Sequence, residues 1–414
     1  MTELPRALPS PGRRNLAVRV TRDAGRQIRS GHPWVFDASI TSVRPDDGAA
    51  GDLAVVFDSD RRFMAVGLWD PASPIRIKVL HHGAPRTIDE SFWQERIDAA
   101  VALRRGLAER GDTDAYRVIH GENDGLPGLV VDRYASISVV KLYSAAWFPH
   151  LGSVLEVIAS SVGTESCVLR LGRNVAAGET FGLADGDTVS GPPVTSPVDV
   201  IEHGLTFRVD VVRGQKTGHF LDQRDNRARV GSMSRGARVL DVFSSTGGFT
   251  VHAAAGGARS VRSVDLNPQS IEALRTNLDL NRGDRRVAAC RTDQTVGDAF
   301  EVMADLARQG ERYDIVVIDP PSFASKQADV EGALRAYGRL TSLGLALVRT
   351  GGTLVQASCS SRVSAEAFHE QVLRSAGGAG VALHELARTG HAVDHPVGFR
   401  EGAYLKAVFA TAER

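Results

Sequence analysis

Cysteine is scarce in this chain. Only three cysteines, Cys167, Cys290 and Cys359, occur among 414 residues, and they lie far apart in sequence. Such an odd, dispersed set argues against a disulfide framework and against C-x-x-C metal sites, so we expect no metal and a reducing, cytoplasmic location. Cys167 and Cys290 fall in two segments, 167–171 and 287–292, that predict buried strands.

An excess of either charge is also missing. Lys+Arg and Asp+Glu both number 49, so overall charge indicates no nucleic-acid partner. No apolar run approaches the length of a membrane span and the N-terminal region lacks an apolar signal-peptide core, so no membrane association is expected. Residues 1–31 form the one basic block, with seven arginines against Glu3 and Asp23. A solvated tail and a phosphate-contacting edge explain this block equally well.

The order of predicted elements divides the chain into three domains. Short strands and one helix predict a small β-barrel-like domain at 14–82, and mixed elements predict an α+β domain at 86–190. Strands and helices alternate at 198–414, as in a parallel α/β sheet. The strand, helix and G-H-P-W-V-F turn of the first domain resemble a PUA domain, an RNA-binding module. Trp34 in this turn either stacks on a base or belongs to the core.

A strand–turn–helix–strand unit at Val239–Asp265 organises the third domain. It contains an apolar strand with Asp241 near its end, a turn with Gly247 and Gly248, a helix, and a strand that ends at Asp265. Open α/β sheets bind nucleosides with such units, because the glycines admit the ligand to the backbone and the terminal acid accepts hydrogen bonds from ribose hydroxyls. A structural turn without a ligand is the alternative.

The acid before the turn indicates which nucleoside binds. A dinucleotide site would carry G-x-G-x-x-G, but Phe249 and His252 provide no third glycine, and the Asp241 carboxylate would repel a pyrophosphate. The carboxylate suits a cation instead. The pattern D-x-F-x-x-x-G-G-F resembles motif I of the Rossmann-like S-adenosylmethionine methyltransferases, whose ligand carries an ammonium and a sulfonium.

Further candidate residues follow other strands of the predicted sheet. Asp319 and Cys359 each end a strand, and Asp298 follows another, so all three are expected at the ligand-binding edge. D-P-P-S-F at 319–323 resembles motif IV of methyltransferases that act on nucleic-acid bases. Its prolines stiffen the loop, the carboxylate can engage the Watson–Crick edge of a flipped base, and Phe323 can stack on that base.

Cys359, in A-S-C-S-S, distinguishes between possible reactions. Carbon 5 of a pyrimidine accepts a methyl group only after a thiolate has added to carbon 6, whereas methylation of a ring nitrogen needs no cysteine. A lone cysteine is commonly a core residue, but a strand tip flanked by serines favours a nucleophile.

The order of motifs along the chain resembles the PUA-containing bacterial 23S ribosomal RNA cytosine-5 methyltransferases. The motifs are D-G-L-P-G-L-V-V-D-R-Y at 124–134, K-T-G-H-F-L-D-Q-R at 216–224, D-V-F-S-S-T-G-G-F, D-P-P-S-F, S-C-S-S and D-H-P-V at 394–397. The resemblance implies S-adenosylmethionine as cofactor, 5-methylcytidine in large-subunit ribosomal RNA as product, Cys359 as nucleophile, and often a homodimer. It also implies that segment 216–224 covers the cofactor.

The candidate residues can be grouped by role. The candidate cofactor contacts are Asp241, Phe243, Gly247, Gly248, Asp265, Leu266, Asp298 and Gln223. The candidate catalytic residues are Cys359 and Asp319, and the candidate RNA contacts are Pro320, Phe323, Lys216 and Arg224.

Two departures from the family pattern leave alternatives. Ser361 replaces a glycine that often follows the cysteine motif, and 292–296 looks like an insert, so either Asp293 or Asp298 could hold the adenine amino group; the D-A-F sequence favours Asp298. The alternative functions are a guanine-nitrogen methyltransferase and an inactive RNA-binding assembly factor.

Overall fold

The computed structural model describes residues 8–12, 14–195, 197–324 and 326–414. Two compact units are present. The first contains the described residues up to Ile201 together with Val209–Leu221 and Asp394–Phe399, and the second contains Glu202–Arg208, Asp222–Val393 and Arg400–Arg414. Arg6 and Arg13 of the basic block, and Ser196 between the second and third predicted domains, lie outside the described residues.

The first unit begins with the predicted β domain. Its elements are β1 (Leu16–Val20), α1 (Arg22–Arg29), β2 (Trp34–Phe36), β3 (Ile40–Arg44), β4 (Leu53–Phe57), β5 (Phe63–Trp69) and β6 (Ile75–His82). They form a six-stranded sheet in the order β2-β6-β5-β4-β1-β3. Apolar residues alternate with exposed ones along β1, so Leu16, Val18 and Val20 enter the core.

A mixed α/β region follows in the same unit. Its elements are α2 (Glu90–Ala108), β7 (Ala115–His120), β8 (Leu129–Tyr134), β9 (Ile137–Leu142), α3 (Leu151–Val162), β10 (Ser166–Leu171), α4 (Arg173–Ala176) and β11 (Thr188–Ser190). The strand order is β11-β10-β9-β8-β7, with β9 and β10 parallel. Asp89 starts α2 by accepting a hydrogen bond from the backbone N–H of Phe92 at 3.1 Å.

One buried carboxylate, that of Asp132, connects two motifs of this unit that are far apart in sequence. Asp132 on β8 is fully buried and accepts hydrogen bonds from Arg117 at 2.8 and 3.0 Å. It also accepts one from the hydroxyl of Thr217, in K-T-G-H-F, at 2.6 Å. The D-R-Y and K-T-G segments are therefore joined by a satisfied buried ion pair.

The second unit contains the predicted parallel sheet. After the hairpin of β12 (Val198–Glu202) and β13 (Leu205–Val209), its elements are α5 (Arg224–Met233), β14 (Arg238–Val242), α6 (Gly248–Ala255), β15 (Ser260–Asp265), α7 (Pro268–Leu280), α8 (Arg285–Ala289), β16 (Arg291–Val296), α9 (Ala299–Arg308), β17 (Tyr313–Ile318), α10 (Val330–Leu347), β18 (Val348–Ser358), α11 (Ala365–Gly378), β19 (Ala382–Thr389) and β20 (Lys406–Glu413). The sheet order is β16-β15-β14-β17-β18-β20-β19; the first five strands are parallel and β20 is antiparallel to both neighbours.

Several local predictions were wrong. The strand expected at 287–292 is the short helix α8 followed by β16, because Asp284 caps the helix through the N–H of Arg286 at 2.7 Å. Cys290 is half-buried rather than enclosed in a strand. The apparent insert 292–296 forms most of β16.

Trp34 does not lie in the core of the β domain, and its stacking on a base stays a prediction. It is half-buried, and its indole N–H donates to Glu122 at 2.9 Å, while its ring lies 5.1 Å from that of Phe399. The residue therefore anchors the turn after α1 instead of filling the core of the β domain. Cys167, by contrast, is buried as expected, and burial raises the pKa of its thiol to about 11.

Candidate cofactor and substrate site

The turn between β14 and α6 has an unusual backbone. Phe243, Ser245 and Gly247 all have positive φ angles, of 64°, 48° and 85°. Such angles strain residues that carry a Cβ and are concentrated at ligand-binding turns. A Cβ at position 247 would lie 2.5 Å from a carbon of Leu274, so glycine is required there. Gly248 then begins α6.

Asp241 is the central charge of this site. It is fully buried on β14 and accepts a hydrogen bond from the Thr250 hydroxyl at 2.6 Å through one oxygen. Its other oxygen and the hydroxyl of Ser244 are buried without a hydrogen-bond partner among the described residues. Burial, with a smaller contribution from the Asp265 carboxylate, raises the pKa of Asp241 to about 7. An unsatisfied carboxylate oxygen here fits a cationic ligand and disfavours a phosphate.

The tips of β15 and β16 supply a second group of residues. Asp265 accepts hydrogen bonds from the backbone N–H groups of Ser245 at 2.8 Å and Asn267 at 2.9 Å, which fixes the carboxylate and leaves further lone pairs for ribose hydroxyls. Leu266 is 70% exposed and Val296, which pairs in register with Asp265, is 49% exposed. These side chains offer apolar surface to a flat base, and Val296 was not recognised from the sequence.

The two candidate adenine acids have different surroundings. Asp298 caps α9 by accepting from the backbone N–H groups of Phe300 at 2.9 Å and Glu301 at 3.2 Å. Asp293 instead pairs with Arg262 on the neighbouring strand, with Nε 2.8 Å from the carboxylate. Because Asp293 is held in this ion pair, its neighbour Asp298 fits the role better.

Asp319 follows β17, next to Asp241 on β14. Its backbone N–H donates to Val242 at 3.3 Å, and the side chain is half-buried. Burial, and then the Asp222 carboxylate, raise the pKa of Asp319 to about 7, while the Gln223 side chain opposes that rise. A carboxyl group with this pKa can either donate or accept a hydrogen bond near neutral pH.

The residues before α5 are not an exposed helix cap. Asp222 is buried and accepts a hydrogen bond from the Tyr404 hydroxyl at 2.9 Å, and Gln223 occupies the cap position without a capping hydrogen bond. The carboxamide oxygen of Gln223 accepts from Asn226 at 2.6 Å. Asp222 is therefore a buried, hydrogen-bonded acid and not an exposed cap of α5. Arg224 is fully buried beside Asp225, with its Nε 3.3 Å from that carboxylate, which argues against direct contact with RNA.

Ser360 joins the two loops that carry Asp319 and Cys359. Its hydroxyl lies 3.1 Å from the N–H of Phe323, 3.0 Å from the hydroxyl of Ser322 and 2.9 Å from that of Tyr337. Cys359, partly exposed, has its sulfur 3.8 Å from the carbonyl oxygen of Pro320. The D-P-P-S-F and S-C-S-S segments therefore form one hydrogen-bonded unit, and nothing in the sequence identified Ser360 as its centre.

A buried lysine supports the cysteine loop. The ammonium of Lys406 donates to the carbonyl oxygens of Ser360 at 2.5 Å, Val363 at 2.6 Å and Tyr404 at 3.0 Å. Burial lowers the pKa of Lys406 to about 8, and the Cys359 thiol group opposes that shift. The Lys406 ammonium therefore fixes the backbone around Cys359 and interacts electrostatically with its thiol group.

The remaining candidate RNA residues belong to both units. Pro320 is buried, and the half-buried ring of Phe323 lies 5.2 Å from that of Tyr337. Lys216 belongs to the first unit, where it is exposed and its ammonium lies 4.6 Å from the centre of the Phe220 ring. The roles of all these residues stay predictions. Among the described residues, no cluster of His, Cys, Asp and Glu could hold a metal ion, and no helix is long and apolar enough to cross a membrane.

Comparison with known proteins agrees with this geometry. Residues 168–408 match the family described as S-adenosylmethionine-dependent methyltransferase, and residues 18–82 match the PUA-like domain. The fold and the site therefore define a Rossmann-like methyltransferase that uses S-adenosylmethionine and carries an N-terminal PUA-like domain.

Two relatives extend over nearly the whole chain. A ribosomal RNA large subunit methyltransferase of Deinococcus radiodurans is 46% identical over 406 residues, covering 97% of this chain and 98% of that protein. A ribosomal RNA large subunit methyltransferase I of an Enterobacter species is 34% identical over 397 residues, covering 94% and 98%. The chain belongs to the family of ribosomal RNA large subunit methyltransferases.

Solved structures share the same architecture. A candidate methyltransferase complexed with SAH has a TM-score of 0.81 at 20% identity, covering 95% of this chain and 99% of that chain. A candidate S-adenosylmethionine-dependent methyltransferase from Streptococcus mutans has a TM-score of 0.80 with the same identity and coverage. At this identity, the likeness establishes the fold.

Proposed function

We propose that this chain methylates carbon 5 of a cytidine in large-subunit ribosomal RNA through a covalent adduct of Cys359. The substrate class is supported by the names of the two full-length relatives. The choice of carbon 5 rests on one observation above all, which is that Cys359 lies 3.8 Å from Pro320 in the loop that follows Asp319. A cysteine beside a base-holding loop is what this reaction requires and what nitrogen methylation does not.

The cofactor would be held by the turn after β14 and the tips of β15 and β16. We assign the cationic part to Asp241, the ribose hydroxyls to Asp265, and the adenine to Leu266 and Asp298. Phe243, Gly247, Gly248 and Gln223 would complete the cofactor pocket. When bound, S-adenosylmethionine supplies an electrophilic methyl group. The unsatisfied oxygen of Asp241 supports this assignment, because a positively charged ligand would stabilise the buried carboxylate.

Cys359 and Asp319, which both follow strands at the ligand-binding edge of the sheet, would act on the same base. The thiolate of Cys359 donates an electron pair to carbon 6, and the electrons of the carbon 5–carbon 6 bond then make carbon 5 nucleophilic. In its protonated form, which a pKa of about 7 makes available near neutral pH, Asp319 can donate a hydrogen bond to N3 of the cytosine and stabilise the negative charge that develops on the ring. After carbon 5 has gained its methyl group, loss of the carbon 5 proton to a base returns the electrons and expels the thiolate.

Mass spectrometry of nucleosides tests this proposal. Ribosomal RNA from cells that lack the gene is incubated with the full-length protein and isotopically labelled S-adenosylmethionine, and then digested. We expect labelled 5-methylcytidine with the native chain and none with Cys359→Ala, which should still bind the cofactor. A labelled methylguanosine would instead support nitrogen methylation. Failure to bind S-adenosylmethionine in calorimetry would support an inactive assembly factor.

A further inference from the structure

Tyr143 is an exposed aromatic side chain at the end of a parallel strand in the first unit. It follows β9 directly and is 55% exposed. Its backbone N–H donates to the carbonyl oxygen of Gly128 at 2.8 Å, so the residue is fixed in position. A Cβ at position 172 would lie 3.4 Å from the ring and 3.1 Å from the carbonyl oxygen of Leu142, so Gly172 leaves room for this ring. The backbone that carries this exposed ring is therefore fixed, and the absence of a side chain at Gly172 leaves the ring accessible.

Lys141 lies beside this ring and contacts a second lysine, Lys216, whose own ammonium lies over the Phe220 ring. The ammonium of Lys141 lies 5.5 Å from the centre of the Tyr143 ring and donates a hydrogen bond to the carbonyl oxygen of Lys216 at 2.7 Å. Lys216 is exposed and has a φ of +55°, a conformation that strains a residue with a Cβ. The hydrogen bond from Lys141 helps to hold that conformation. The two lysines and the tyrosine therefore form one fixed group, which we call the Tyr143 patch.

The charge around the Tyr143 patch is positive. Burial, and then the Arg170 guanidinium, lower the pKa of Lys141, with a smaller effect from Lys216 in the same direction. Burial of part of the side chain raises the pKa of Tyr143, and the Arg117 cation opposes that rise.

The nearby carboxylates already have partners. Asp132 bonds to Arg117 at 2.8 Å, Asp185 to Arg170 at 3.0 Å, and Glu122 to the indole of Trp34 at 2.9 Å. Around Tyr143 and Lys141 taken together, the four cations Lys141, Lys216, Arg117 and Arg170 outnumber the three carboxylates. An anion that bound here would relieve the repulsion among the cations.

We propose that the Tyr143 patch binds single-stranded RNA, with one unpaired base stacked on Tyr143 and adjacent phosphates on Lys141 and Lys216. An exposed aromatic ring with cations nearby is the arrangement with which proteins bind unpaired nucleotides, because every base has a face that can stack and every linkage carries a negative charge. This inference rests on the proposed function for its choice of RNA as the partner. It adds a contact in the first unit, separate from the residues assigned to catalysis.

Fluorescence anisotropy with labelled RNA tests the Tyr143 patch. The probe is a fluorescein-labelled single-stranded RNA of about 20 nucleotides, with a duplex of the same length for comparison. Tyr143→Ala in the full-length protein should weaken single-strand binding by about 5- to 160-fold and change duplex binding much less, because paired bases are already stacked. Tyr143→Phe keeps the ring and should bind like the native chain.

Two further series separate stacking from charge. Lys141→Gln and Lys216→Gln should each reduce the slope of log affinity against log salt by about 0.7, since each removes one phosphate contact. Leu103→Ala and Arg105→Gln, on the exposed face of α2, are matched controls that should leave binding unchanged.

The outcomes separate this inference from the proposed function. Single-strand binding by Tyr143→Ala equal to that of the native chain would overturn the patch, even if labelled 5-methylcytidine still forms. Tyr143-dependent binding without any 5-methylcytidine would support the patch and refute the proposed reaction. Circular dichroism of each variant checks that loss of binding does not reflect loss of the fold.

Discussion

Replacing Asp241 by asparagine should stabilise the free protein and weaken cofactor binding. The carboxylate is fully buried with one unsatisfied oxygen, and its pKa rises from 3.8 to about 7. A shift of roughly three units corresponds to about 4 kcal/mol. Because the pKa of Asp241 is raised, the folded state prefers the protonated acid. The contribution of this group to the free energy of unfolding is therefore fully present below about pH 4, and it is lost as the pH rises through 7. The substituted side chain would carry no charge to desolvate, and its amide oxygen can still accept from Thr250.

The same carboxylate should make cofactor binding depend on pH. If the cation binds only the ionised form of Asp241, its affinity should fall about tenfold for each pH unit below 7, because a proton must first leave. Asp241→Asn should bind S-adenosylmethionine much more weakly near pH 8 and should lose this dependence. In the complex, the positive charge of the cofactor would offset the cost of the buried, ionised Asp241 carboxylate, so the native chain should be more stable with the cofactor than without it.

Urea unfolding and calorimetry measure both effects. Near pH 8, Asp241→Asn should raise the free energy of unfolding by up to about 4 kcal/mol, with little gain near pH 4. Asp132→Asn is the matched control of opposite sign, because that buried carboxylate is paired with Arg117 and its loss should destabilise by about 3–5 kcal/mol. An Asp241→Asn variant that is less stable near pH 8, or that binds the cofactor as tightly as the native chain, would refute this reasoning.

Two other substitutions test the loops around the site. Ser360→Ala removes the hydroxyl that joins the D-P-P-S-F and S-C-S-S segments, so kcat should fall by about tenfold or more while calorimetry shows unchanged cofactor affinity; an unchanged kcat would contradict the role of Ser360. Gly247→Ala would need a φ of +85° and a Cβ 2.5 Å from Leu274, so urea unfolding should show a loss of about 1–3 kcal/mol, and no loss would show that the turn relaxes freely.

The sequence predicted the sheet and its acidic edge because both depend on local patterns. The apolar runs that become β14, β15 and β17 each end in an acid, and parallel strands must bring those ends together. Asp241, Asp265 and Asp319 could therefore be placed on one edge without knowing any contact.

The residues that support the site, such as Lys406, are positioned by pairing between strands that are far apart in sequence. Local sequence patterns therefore could not predict them. Lys406 reaches the cysteine loop only because β20 runs antiparallel beside β18, with Lys406 opposite Ser358. Nothing in the local sequence of either strand fixes that register. The strand β16 was missed for a related reason, since its polar residues lie at the edge of the sheet and lack the apolar run of a buried strand.

Covalent trapping of Cys359 on RNA tests the proposed reaction most directly. An RNA substrate that contains 5-fluorocytidine carries fluorine in place of the hydrogen on carbon 5, so after methyl transfer no proton can be removed there to expel the thiolate, and the adduct should persist. The full-length protein with S-adenosylmethionine should then give a protein–RNA band that survives denaturing electrophoresis, and peptide mass spectrometry should place the link on Cys359. A Cys359→Ala variant that still forms 5-methylcytidine, or a link to any other residue, would contradict the account.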